Sequence, residues 1–333
     1  MQYESTLSYL YRGKATVGVD LTAGTHTLSL RTSADGTTSL PGRDLALDWF
    51  DLVDAAAAAT TTYPATEART TGGVSVQPSQ GAQGGRLALA QGARAEFFVT
   101  AAADGYHDLR VDWGTGAANT ALDLTVNGRQ ITGLASSGTG QSRSVATVHL
   151  AKGIQRVVVT ARSALTLDGL ALTRNSGADS QVSTIQAESP SVAKSAGVTV
   201  ETPPAVYGSN VSGQYAGWLT SGRTLTIPRP SGSTSGQYDL LVRYANADKF
   251  TGHPYNTDVV TRTAAVTEQS SGRTVTGQFR HNYSFYSFWS QNVPLDLASS
   301  TSALTFGNPS GNAPNVDSFQ LAKLVSGVAN SAR

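Results

Sequence analysis

LTLDGLAL at 165–172 and NVDSFQL at 315–321 share one irregularity. Apolar residues alternate as in a half-buried strand, and an aspartate, Asp168 or Asp317, interrupts each run at the same place. A third copy, LALDWFDL at 45–52, carries Asp48. A carboxylate inside an apolar strand is costly unless it is paired or bound to a cation. Its recurrence marks a repeated unit with a repeated electrostatic need.

Upstream of each copy lies a second pattern: VGVDLTAGTHTLSL (17–30), TVHLAKGIQRVVV (147–159) and NVPLDLASSTSALTF (292–306). Two alternating runs flank a turn, which predicts a hairpin. A third pattern occurs twice, as GYHDLRVDW (105–113) and GQYDLLVRY (236–244), with Gly, Asp-Leu, Val and a final aromatic in common. The matches divide the chain into a C-terminal remnant of a unit over 1–54, a full unit over 63–175 and another over 183–325. AAAAATTTYP and NSGADSQ separate them, and the five-alanine run is too short to nucleate a stable helix. Several short alternating strands per unit, with no amphipathic helix between them, predict an all-β chain of tandem antiparallel β-sandwiches, the first truncated.

Composition agrees. In 333 residues, 24 basic side chains face 23 acidic ones, a net charge of +1 that gives no field to attract nucleic acid or a membrane surface. Charged residues are only 14%, and glycine, at 34, suits turn-linked strands. Cysteine is absent and methionine occurs only as Met1, which excludes disulfides, thiol catalysis and thiolate metal sites. No run approaches the roughly 20 apolar residues of a membrane span. The Thr/Ser/Gly-rich composition points to a secreted, extracellular bacterial protein. MQYESTLSYLYRG is not a secretory leader, so an export signal is expected outside this sequence.

No nucleophile elbow, zinc-protease, P-loop or dinucleotide motif is present, and the five histidines (His26, His107, His149, His253, His281) are scattered. No catalytic residue is expected. Opposed carboxylates for glycoside hydrolysis remain open, because sequence does not show which acids face one another. In IQAES (185–189), Gln186 and Glu188 point to one side of the unit's first strand. Where first and last strands adjoin, Glu188 can meet Asp317, either as oxygen ligands of calcium or as carboxylates bonded to loop amides.

The order AES, GQYAGWL, GQYDLLVRYAN, FWSQNVPLDL, NVDSFQL over 183–325 resembles the carbohydrate-binding modules of families 6 and 35, with their galactose-binding-like, jelly-roll β-sandwich. The resemblance implies a structural calcium held by acids of the first strand and the aspartate of the last. The family's Glu-Ala-Glu stands here as Gln186, Ala187 and Glu188, so the implied ligands are Gln186, Glu188 and Asp317. It also implies a sugar cleft built from loops, where an aromatic ring stacks on apolar C–H groups and amides fix hydroxyls. By position these are Trp289, Asn246, Asn308 and Asn312, with Tyr255 of TGHPYN as a fifth.

Each has a plainer reading. SFYSFW could place Phe285 with Phe288 or Trp289 in the core, and loop asparagines form turns. Unit 63–175 resembles the family more weakly: YPATEA replaces Glu-Ala-Glu, leaving only Asp168 as an implied ligand, and Val145 and Thr147 stand where Phe288 and Trp289 stand later. It is expected to be a spacer or weak binder. For 1–54, the tail of a different lectin-like β domain is the alternative. The resemblance implies a monomeric, non-catalytic region that holds a larger secreted glycoside hydrolase or polysaccharide lyase on polysaccharide or oligosaccharide. The competing reading is a structural or adhesive spacer without sugar binding.

Overall fold

The computed structural model describes residues 19, 21–29, 60–205, 210–211, 213–248, 260–282, 284–325 and 327–333. The expected remnant over 1–54 lies outside these except for 19 and 21–29, which are exposed and carry no strand. Tyr255 and Asp48 also lie outside them.

The sequence from 60 to 174 forms β1 (Thr60–Pro64), β2 (Arg69–Thr71), β3 (Val74–Gln77), β4 (Arg86–Leu89), β5 (Arg94–Ala101) and β6 (Gly105–Thr115). It continues with β7 (Leu122–Val126), β8 (Arg129–Ile131), β9 (Gly140–Leu150), β10 (Gly153–Ala161) and β11 (Leu165–Arg174). The second series runs β12 (Val182–Gln186), β13 (Ala193–Lys194), β14 (Thr199–Glu201), β15 (Tyr215–Gly217), β16 (Thr224–Ile227) and β17 (Gly236–Ala245). It closes with β18 (Val260–Glu268), β19 (Thr274–Arg280), β20 (Trp289–Leu297), β21 (Leu304–Gly307) and β22 (Asn315–Lys323), and β23 (Val328–Ala332) follows.

The two series have one topology. In the first, β9-β6-β11-β4-β3, with β1 also on β11, faces β2-β5-β10-β7-β8. In the second, β20-β17-β22-β15-β14, with β12 also on β22, faces β13-β16-β21-β18-β19. Every ladder among the described residues is antiparallel, so the fold is a tandem of antiparallel sandwiches. Strand alternation fills each interior. Trp113, Leu109, Val111, Leu124 and Leu167 are fully buried in the first, and Leu240, Val242, Phe279, Phe306 and Phe319 in the second. Tyr244, Phe279, Phe306 and Phe319 stack edge to face in a chain, with centroids 4.9, 5.8 and 5.4 Å apart.

Two expectations are corrected here. The predicted hairpins at 147–159 and 292–306 are not hairpins, because β9 and β10 lie in opposite sheets, as do β20 and β21. The turn carries the chain from one layer to the other, and each strand finds its partners elsewhere. The counterpart of Trp289 is also not Val145 or Thr147. Trp289 pairs with Tyr244, and Ser142 pairs with the equivalent Trp113, so a serine stands at that position in the first unit.

The repeated aspartates share a local device. In β11 the register against β6 jumps from Leu167 to Gly169, and in β22 the register against β17 skips from Ser318 to Val316. Asp168 and Asp317 are therefore the extra residues of matching β-bulges, which re-aim a side chain that strict alternation would send inward.

The units are joined by more than the linker. β23 leaves the second unit and pairs with β9 of the first, Val328 opposite Ala146 through Ala332 opposite Ser142. Arg129 of β8 forms an ion pair with the buried Asp239 of β17 at 3.0 Å and donates to the Tyr238 carbonyl. Asn292 Nδ2 donates to the His149 carbonyl at 2.6 Å, Tyr106 Oη to that of Lys323 at 2.5 Å, and Ser290 Oγ to Asp104 at 2.9 Å.

Candidate functional site

At one end of the second sandwich several loops are bonded to one another. The turn after β15 is zipped to the loop after β21: Ala313 N donates to the Leu219 carbonyl at 2.8 Å, and Gly222 N to that of Asn308 at 2.8 Å. Ser221 Oγ donates to the Pro309 carbonyl at 3.0 Å. Arg262 extends the surface, donating to Asp248 at 2.6 Å and to the Ala313 carbonyl at 2.9 Å. Its guanidinium lies 4.9 Å from the centre of the Phe285 ring.

The expected sugar contacts divide within this frame. Asn246 is fully buried. Its amide donates to Thr261 Oγ1 at 2.8 Å and to the Phe279 carbonyl at 3.1 Å, and its oxygen accepts from Asp248 N at 3.0 Å. It shapes the loop that carries Asp248. Asn308 does similar work, donating to Thr263 and accepting from Ser310 N and Gly311 N at 3.1 and 3.0 Å. Asn312 is exposed in the same loop. Trp289 is partly buried, packs against the core, and has its indole nitrogen inside without a partner. Phe288 is buried with Tyr215 and Ala245, as the plainer reading of SFYSFW allows.

Trp218, in the GQYAGWL stretch but not singled out from it, is 61% exposed, the one tryptophan or phenylalanine among the exposed large hydrophobics of the described residues. Its ring is tied to a neighbouring strand. The indole N–H donates to Glu201 Oε1, and Glu201 Oε2 accepts from Tyr215 Oη at 2.6 Å. Its carbonyl accepts from Thr220 N at 2.8 Å and Arg223 Nη1 at 3.0 Å. Its φ is +57°, in the left-handed region that bulky side chains rarely occupy. Strain of this kind, costing on the order of 1–3 kcal/mol, persists where surrounding contacts enforce it and clusters at ligand sites. No periodicity in the sequence shows a positive φ, but a Gly-Trp after a short strand is the signal that could have drawn attention to it.

The expected metal ligands meet in part. β12 pairs with β22, and Ala187 N donates to the Asp317 carbonyl at 2.8 Å, so first and last strands do adjoin. Arg243, one strand over, forms an ion pair with Asp317 at 2.8 Å. Burial pushes the Asp317 carboxyl upward, Arg243 pulls it down, and the nearby Glu188 charge raises it again. Gln186 is exposed. In the first unit Asp168 meets arginines instead: Arg333 at 2.7 Å and Arg86 at 3.3 Å. Among the described residues no group of three or more His, Asp or Glu side chains is placed to hold a metal.

No known family profile matches the chain. It is 28% identical over 336 residues to the 3-O-beta-L-arabinopyranosyl-alpha-L-arabinofuranosidase of Bifidobacterium pseudocatenulatum, covering 90% of this chain and 33% of that enzyme. It is 26% identical over 361 residues to the 3-O-alpha-D-galactosyl-alpha-L-arabinofuranosidase of Bifidobacterium longum subsp. longum, covering 95% and 30%. The chain thus spans about a third of the length of these curated relatives. Among solved structures it is similar to a family 35 carbohydrate-binding module from Clostridium thermocellum, with 22% identity, a TM-score of 0.35, and coverage of 42% of this chain and 98% of that module. It is also similar to a carbohydrate-binding module, CBM6cm-2, from Cellvibrio mixtus lichenase 5A, with 17% identity, a TM-score of 0.34, and coverage of 43% and 98%. No helix among the described residues is long and apolar enough to cross a membrane.

Proposed function

We propose that the chain is a non-catalytic carbohydrate-binding region of a larger exported glycoside hydrolase, which it holds on polysaccharide. The second unit recognises the glycan and the first acts as spacer. The observation that carries this reading is Trp218, exposed and pinned by Glu201 beside the loop of Asn308 and Asn312. A sugar ring offers an apolar C–H face that stacks on an indole and a rim of hydroxyls that need directed donors and acceptors. The exposed Asn312 amide and the Asp248–Arg262 pair line the same end. The two relatives are arabinofuranosidases whose names carry arabinopyranosyl and galactosyl groups, which favours glycans bearing arabinose or galactose as ligands.

The non-catalytic reading is supported by what the buried acids do. Asp112, Asp168, Asp239 and Asp317 each have an arginine partner. Glu268 accepts the Ala298 and Ser299 amides at 3.1 and 2.8 Å. A shallow site buries few atoms, so millimolar to micromolar affinity is expected. Calorimetry of the full chain against arabinogalactan tests the reading. Binding that Trp218→Ala abolishes without lowering the melting temperature supports it, and an unbound glycan panel or reducing sugar released by this chain alone overturns it.

A further inference from the structure

The turn between β12 and β13 is closed by one side chain. Lys194 Nζ donates to the carbonyl oxygens of Glu188 at 3.1 Å, Ser189 at 2.9 Å and Val192 at 2.9 Å. An ammonium has three N–H donors, and these three carbonyls use them all. On the neighbouring strand Arg243 neutralises Asp317. Lys194 thus holds main-chain oxygens of the turn, and Arg243 pairs with the carboxylate of Asp317.

Calcium asks for six to eight oxygens at about 2.3–2.6 Å. Of the oxygens this turn and strand present, three carbonyls each accept a bond from Lys194. What stays without a partner is one buried oxygen from each acid, Glu188 Oε2 and Asp317 Oδ1. Gln186, the third implied ligand, is exposed at the strand end. A divalent ion drawn to the same carbonyls would sit beside the positive ammonium that already makes three charge-assisted bonds to them.

We infer that Lys194 is the resident cation of this turn, doing there what the resemblance assigns to calcium, so that the second unit holds its first strand and turn together without a divalent ion. The inference is independent of sugar binding.

Thermal unfolding of the full chain, in calcium and in chelator, tests it with wild type, Glu188→Gln and Lys194→Met. The expected result is a melting temperature in which calcium and chelator differ no more for wild type than for Glu188→Gln. Lys194→Met should lower it in both buffers by about 3 °C or more, the shift that roughly one lost interaction gives in a chain of this size. A calcium-dependent rise in wild type that Glu188→Gln removes overturns the inference, as does a Lys194→Met chain that melts with wild type. Should the methionine variant not fold, Lys194→Arg, which keeps the charge but not the compact ammonium, melting below wild type in both buffers supports the inference. The wild-type and Glu188→Gln comparison stands without either variant.

Discussion

Arg333 Nη1 donates to Asp168 Oδ2 at 2.7 Å, so a side chain beyond β23 reaches back to the bulge in the last strand of the first sandwich. The Asp168 carboxylate is buried, and an unpaired buried carboxylate is expensive. Arg333→Ala is expected to destabilise the first unit by about 1–3 kcal/mol, less than a fully stranded charge because Arg86 remains. Denaturant unfolding followed by tryptophan fluorescence measures it.

Arg129 and Asp239 face each other across the two units at 3.0 Å, each with a side chain about 10% exposed. Burial raises the Asp239 carboxyl and Arg129 opposes the rise. Arg129→Met strands the carboxylate and should cost about 3–5 kcal/mol, whereas Arg129→Met with Asp239→Leu should recover most of it. A double-mutant cycle in urea that shows additive losses would refute this account of the junction.

His149 supplies a pH signature. It is buried, its ring lies 5.1 Å from Tyr106 in an edge contact, and neither ring nitrogen has a partner. Burial is the main cause that lowers its pKa to about 4, with the Asp179 charge opposing and His107 and Arg174 adding to the fall. The unfolded chain therefore binds a proton near pH 6.5 that the folded chain refuses until about pH 4. Stability should be complete above pH 6.5 and decline as pH falls toward 4, by about 3 kcal/mol at the end. His149→Phe should flatten that slope.

Trp218 and Trp289 should separate in opposite directions. Trp218→Gly removes an exposed ring and relieves a φ of +57°, so stability should hold or rise by up to about 1 kcal/mol while the glycan binding proposed above should be lost. Trp289→Ala removes a ring packed on the core and should cost about 3 kcal/mol. Paired melting and affinity measurements on the two variants check both.

The repeats were legible because alternation and spacing survive in sequence: GYHDLRVDW and GQYDLLVRY are β6 and β17, and the aspartate runs are β11 and β22. The need of Asp168 and Asp317 for a partner was legible too, from the cost of a carboxylate among apolar residues. Who answers it was not. Arg243 is one strand across, Arg333 is 165 residues away, and neither distance leaves a local pattern. The hairpin misreading has the same origin, since a turn between alternating runs looks alike whether the chain stays in one sheet or changes layer. Exposure of Trp218 and burial of Asn246 are decided by loop packing, on which single-residue identity says little.

Because β23 supplies an edge strand to the first sandwich only after every strand of the second has been passed, the order of synthesis matters. A ribosome releases the first unit with the side of β9 still bare, and that strip of unpaired amides and carbonyls stays open to any passing strand until translation has moved well beyond it. Assembly of the earlier half is therefore finished by the later half, and a chain cut short in the second unit leaves the first incomplete as well.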